Sequence, residues 1–126
     1  MIKKAIIAAL AILMLIQFVQ IDKTPGSESS SDISQHYDVP EDLRGILRRA
    51  CYDCHSNETV YPWYSHIQPL GWWLRHHIEE GREHLNFSEF SGRRIAVQNH
   101  KFEEIIETVK EGEMPLKSYT WLGMHP

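Results

Sequence analysis

The chain has 126 residues, is 42% hydrophobic and 24% charged, and carries a formal net charge of −4. That length leaves room for one small domain, and a mildly acidic balance without a basic stripe excludes nucleic acid as a partner. The conspicuous bias is aromatic: Trp63, Trp72 and Trp73 fall within eleven positions, with Tyr61 and Tyr64 beside them, a large flat apolar surface for so short a chain.

At the amino end, Lys3 and Lys4 precede an apolar run over residues 5–21, seventeen residues in all. That is the short end of what spans a bilayer. No Ala-x-Ala-like cleavage site follows, and no lipoprotein cysteine. Residues 1–21 are therefore predicted to form an uncleaved transmembrane anchor, with a cleaved signal peptide as the competing reading. The lysines place the amino end in the cytoplasm and the rest of the chain across the membrane. Residues 22–36 (DKTPGSESSSDISQH) are polar and serine-rich, the composition of a flexible linker. The folded domain is expected over residues 37–126.

Within that domain the apolar spacing is helical. Pro40 and the acidic pair Glu41-Asp42 suit a first turn. Leu43, Ile46, Leu47 and Ala50 then recur on one face and deliver the chain to Cys51. Residues 56–57 and 61–62 read as loop. A second helix is predicted over residues 68–84, with Ile67, Leu70, Leu74 and Ile78 on its inner stripe. Residues 86–92 (NFSEFSG) break the pattern. A third helix is predicted over residues 93–111, turning Ile95, Phe102, Ile105, Ile106 and Val109 inward, and Gly112 ends it. Nothing alternates over strand length, so the class is all-α. Three short helices bury little, and two cysteines three apart close too small a loop for a disulfide to staple the domain. A prosthetic group is expected to fill the interior.

Both cysteines lie in RACYDCHS, residues 49–56. Cys-x-x-Cys-His is the attachment signature of c-type haem, and each position has a mechanical reason. Residues three apart share one side of a helical turn, so Cys51 and Cys54 can each form a thioether with one haem vinyl group. The adjacent His55 then projects under the ring, where its imidazole binds iron as the proximal ligand. A thioredoxin-like redox pair needs a βαβ context that is not visible here. Zinc needs two further ligands at finger-like spacing, and the gap from His66 to His76 is too long. Covalent haem c is the reading these residues favour.

Met114 sits in a Gly-Glu-Met-Pro turn just past the third helix and is the expected sixth ligand, its proline stiffening the turn. The rivals are His66, His76, His77, His84 and His100, and the ordinary use of a lone methionine is core filling. Trp63, Trp72 and Trp73 are candidates to wall the haem and exclude water, with core packing as the equal alternative for each. Arg48, Arg49 and Arg75 are candidate donors to the propionates.

With these residues in hand, the chain resembles the small haem-binding-domain proteins of bacteria, which are membrane-anchored c-type cytochromes. The matching stretches are CYDCHSNETVYPWYSHIQPLGWWLRHHIEEGREHLNFSEF and EGEMPLKSYT, with the Val-Pro-Glu-Asp helix entry and the anchor. The resemblance implies a cytochrome c-like helical domain with covalent haem at Cys51 and Cys54 and axial ligation by His55 and Met114. Wider similarity to cytochrome c implies that the Pro69 carbonyl supports His55. The family continues past the His-Pro pair into a final helix that packs across the first. A domain lacking that helix is therefore expected, with its Leu43/Ile46/Leu47 face partly uncovered.

The implied function is single-electron transfer, without catalysis, by a monohaem cytochrome facing the periplasm from the inner membrane and serving a redox protein partner. The acidic third helix (Glu103, Glu104, Glu107, Glu111) is a candidate steering surface, a solvated face being the alternative. The competing class is a haem-based sensor or gas-binding protein with an open or labile distal site. A peroxidase-like enzyme needs a distal acid/base histidine, and no spacing singles one out.

Overall fold

The structure, a computed structural model, describes residues 1–23 and 29–120. Every regular element among those residues is helical. The first, α1 (Ile2–Ile16), is apolar on all sides beyond Lys3 and Lys4 and has no buried residue. Among the described residues no helix is long and apolar enough to cross a membrane. At 1.5 Å per residue, α1 measures roughly 22 Å against a hydrocarbon core of about 30 Å.

The expected linker behaves differently from its composition. Residues 24–28 lie outside the described set, but Ile33–His36 form a turn of helix, α2. Asp32 caps it, its carboxylate accepting from the Ser34 N–H at 2.9 Å and the Ser34 hydroxyl at 2.6 Å. Ile33 is buried among the core aromatics, and the Ser91 N–H donates to the Ser31 carbonyl at 2.9 Å. A single isoleucine in a serine-rich stretch gives no periodic signal, yet once a cap starts the turn it is enough to seat the segment. The packed domain begins ahead of Tyr37.

The three predicted helices are present as α3 (Glu41–Ala50), α5 (Leu70–His84) and α6 (Ile95–Lys110). Pro40 enters α3, acids occupy its first turn and Arg48 and Arg49 its last, so its ends suit the helix dipole. Gly112, at φ +73°, takes the left-handed conformation that stops α6. Between these lie α4 (Tyr52–His55), 3₁₀ turns over Trp63–His66 and Phe87–Gly92, and after α6 a short α7 (Lys117–Thr120).

The core is divided. One cluster gathers Ile33, Tyr52, Phe87 and Phe90, with Leu47, Cys51, Phe102 and Ile105 packed on it. The other gathers Tyr64, Leu74 and Ile78, with Cys54 and Tyr61. The segment carrying the two cysteines joins them: Tyr52 stacks on Phe87 (5.4 Å, 18°), while Cys54 faces α5.

Several expected inward residues face outward. On α5, Leu74 and Ile78 are buried but Leu70, and Ile67 just ahead of the helix, are exposed; on α6, Phe102 and Ile105 pack inward while Ile95, Ile106 and Val109 are exposed. The domain has too few elements to cover more than a narrow stripe of each helix. Gln98, polar and unassigned by the apolar pattern, is buried instead: it accepts from the Tyr37 hydroxyl and donates to the Arg93 and Ser91 carbonyls. On α3, Leu43 and Ile46 are exposed and Leu47 meets the core.

Candidate haem site

The helix α4 brings Cys51, Cys54 and His55 together at its two ends. The backbone breaks from α3 at Cys51 (φ −125°) and turns once more, with the His55 N–H on the Cys51 carbonyl at 2.9 Å. Both thiols are free and half-buried. Burial pushes the Cys54 thiol up to about 11, with the Asp53 charge adding to it, and raises that of Cys51. Both are thus held protonated at neutral pH.

The imidazole of His55 is oriented by α5. Its Nδ1 lies 2.9 Å from the Gly81 carbonyl and 3.1 Å from the Leu85 carbonyl. Carbonyls only accept, so Nδ1 carries the proton and Nε2 keeps its lone pair. The two acceptors sit at the carboxyl end of α5, where the helix dipole is negative, which makes Nε2 a better donor to a metal; the Gly81 carbonyl is shared with the Leu85 N–H at 2.9 Å.

Gly81 makes this approach possible. A Cβ there would lie 2.7 Å from the Cys54 carbonyl oxygen, closer than real atoms pack. A ring of polar contacts fixes the rest of the segment. Arg82 donates from Nε to the Ser56 carbonyl and from Nη2 to the Thr59 hydroxyl, both at 2.8 Å. Thr59 donates to the Asp53 carbonyl at 2.7 Å, and the Asp53 carboxylate accepts from the Val60 N–H at 3.0 Å. The buried Ser56 hydroxyl donates to the Tyr52 carbonyl at 2.8 Å.

Beyond the Met114 turn the chain returns to this segment through Tyr119. The Glu113 and Met114 N–H groups converge on the Thr108 carbonyl at 2.9 and 3.3 Å. Five residues on, the Tyr119 hydroxyl lies 2.7 Å from the Asp53 carboxylate and 3.0 Å from the Arg49 carbonyl. Burial, then the Asp53 bond, raises the Tyr119 phenol above its ordinary value. Met114 itself is 36% exposed. Among the histidine rivals, His76 and His100 pair with Glu80 and Glu104 on their own helices at 3.4 and 3.1 Å. His66 contacts the Lys23 ammonium at 2.7 Å, and His77 leans on Trp73 with ring centres 4.4 Å apart.

Trp63 is exposed and edge-on to Tyr64, which packs with Cys54, and Trp73 precedes Leu74 of the same cluster. Trp72 is turned to α1, its indole N–H donating to the Val19 carbonyl at 3.0 Å. The expected support from Pro69 is corrected: its carbonyl accepts from the Trp73 N–H, and Gly81 and Leu85 take the role. Pro69 opens α5 whereas His55 meets its far end, roughly 18 Å along the axis. Arg75 pairs with Glu79 at 2.7 Å and Asp22 at 3.9 Å.

Sequence reasoning did not pick out Gly81, Leu85, Asp53, Arg82 or Tyr119. Only Gly81 carried a signal, since a glycine inside a helical pattern costs about 1 kcal/mol relative to alanine and calls for a packing reason.

A small helical domain that presents two thiols beside an imidazole with a free Nε2 has the donor set of a haem-binding protein. The chain belongs to the haem-binding domain family, whose sequence profile matches residues 11–126. No curated protein and no solved structure matches the chain.

Proposed function

We propose that the protein is a monohaem c-type cytochrome that carries single electrons. In this reading Cys51 and Cys54 would hold the haem through thioether links to its vinyl groups, and His55 and Met114 would be the residues that bind its iron. The observation that carries it is the placement of His55 Nδ1 against the Gly81 and Leu85 carbonyls, which leaves Nε2 available to iron. When bound, the group supplies the ferric/ferrous couple. The chain's own part is to hold the imidazole, keep the thiols protonated until they react, and limit water through Trp63 and Trp73.

Residues 1–21 act as an inner-membrane anchor that leaves the domain facing the periplasm, where covalent haem attachment takes place. Support comes from Lys3 and Lys4 in the first turn of α1 and from the apolar side chains that the rest of α1 exposes. The apolar run also continues past the helix through Phe18, Val19 and Ile21. A separate redox protein is the electron partner.

The test is a haem-stained denaturing gel of protein made in a host with haem-attachment machinery. Pigment should survive boiling in detergent and vanish in Cys51→Ala/Cys54→Ala; a colourless wild-type band rejects the reading. The exposure of Met114 favours one second reading, a gas-binding sensor with a labile distal side. A near-infrared methionine-to-iron band, lost in Met114→Ala, supports the carrier. Immediate CO binding by the reduced protein at neutral pH supports the sensor.

A further inference from the structure

The linker was expected to let the domain swing free of its anchor, but the end of α1 is clasped by the domain. Gln17 uses its whole side-chain amide for this. Nε2 donates to the Leu13 carbonyl within α1 and to the Gln68 carbonyl, both at 2.9 Å, while Oε1 accepts from the Gln68 N–H at 2.9 Å. Three residues of the next segment follow suit: Val19 accepts from the Trp72 indole at 3.0 Å, Gln20 donates to the His66 carbonyl at 3.4 Å, and Asp22 faces Arg75 at 3.9 Å. These contacts set residues 66–72 beside the last turn of α1, at the level where the apolar run gives way to polar sequence.

At that level the domain exposes apolar side chains. Ile67 is 43% exposed, Leu70 49% and Trp72 37%. Scattered exposed apolar residues mean little on a soluble surface. Here they flank Gln68, whose backbone is bonded to Gln17 at the end of an apolar helix, and one of them is a tryptophan with its N–H satisfied, the residue type that collects at membrane interfaces. The length of α1 points the same way. It falls roughly 8 Å short of the hydrocarbon thickness, and apolar side chains at its domain end extend the apolar band, which lowers the mismatch.

We propose that the domain docks on the phospholipid bilayer through Ile67, Leu70 and Trp72, held in one orientation by the Gln17 clasp. The anchor is then a mount rather than a leash, and it fixes which side of the domain faces away from the membrane toward a partner. The proposal rests on the anchor reading of residues 1–21.

The test uses the full haem-loaded chain in phosphatidylcholine/phosphatidylglycerol vesicles containing a lipid with a diazirine near its glycerol backbone. Flotation reports the anchor; photolabel mapped by peptide reports docking. Label is expected in the α1 peptides and in the peptide carrying Leu70 and Trp72. Gln17→Ala should still float but lose the domain label roughly tenfold relative to the α1 label, because two hydrogen bonds to Gln68 are removed. Leu70→Gln should lower the domain label with an unchanged haem absorption spectrum, which separates a lipid contact from a haem wall. Flotation with label confined to residues 1–21 overturns docking and leaves the anchor standing. Failure to float overturns both.

Discussion

At the scale of single residues, the carboxyl end of α5 decides whether His55 is a ligand or an ordinary histidine. Its Nδ1–H finds two carbonyls because Gly81 lets α5 lie against Cys54. Gly81→Ala sets two effects against each other. Helix propensity favours alanine by about 1 kcal/mol, whereas a Cβ 2.7 Å from a backbone oxygen cannot rotate away and overpacking costs about 1–3 kcal/mol or more. The clash should win: urea unfolding is expected to show a net loss of about 1–2 kcal/mol, together with less attached haem. Gly45 on α3 is the control, since nothing lies within 4 Å of a Cβ there, so Gly45→Ala should stabilise by up to about 1 kcal/mol.

At the scale of elements, two short pieces matter more than their length suggests. The turn α2 carries Ile33 into the aromatic cluster, so Ile33→Ala should cost about 2–4 kcal/mol in a denaturant titration; a flexible tether would lose nothing. The turn α7 carries Tyr119 to Asp53, between the two cysteines. It ties the chain just after the Met114 turn to the segment carrying the cysteines. Tyr119→Phe removes that bond at a cost of about 1 kcal/mol and should weaken the methionine-to-iron band while haem stays attached. The pH dependence has a definite sign. The folded phenol's pKa is raised above 10.0, so the bond's contribution is intact below that pH and is lost only as pH climbs through the folded value. The band should therefore persist past pH 10 in the wild type.

For the whole molecule, the division of the core is the controlling fact. Each cluster is small, and Cys51 packs on one while Cys54 packs on the other. A haem held by both thiols, as proposed, would join the two clusters and add apolar contact to each. The haem-free Cys51→Ala/Cys54→Ala chain is accordingly expected to unfold at lower urea than the haem-loaded protein and to bind a hydrophobic dye. Equal midpoints would show that the polypeptide alone sustains the fold.

The sequence by itself determined the helical class, the three main helices to within two or three residues, and the candidate attachment segment. Those features are local: helix entry at Pro40, the stop at Gly112 and the Cys-x-x-Cys-His spacing each act within a few residues. Only the tertiary structure decided that α2 belongs to the core, that Gly81 and Leu85 rather than Pro69 orient His55, that Ile67, Leu70, Ile106 and Val109 face outward, and that α1 is clasped at Gln17. Each of these depends on which elements meet across tens of residues. A single strand of apolar periodicity says that a helix has an inner face, but not how much of that face its neighbours reach.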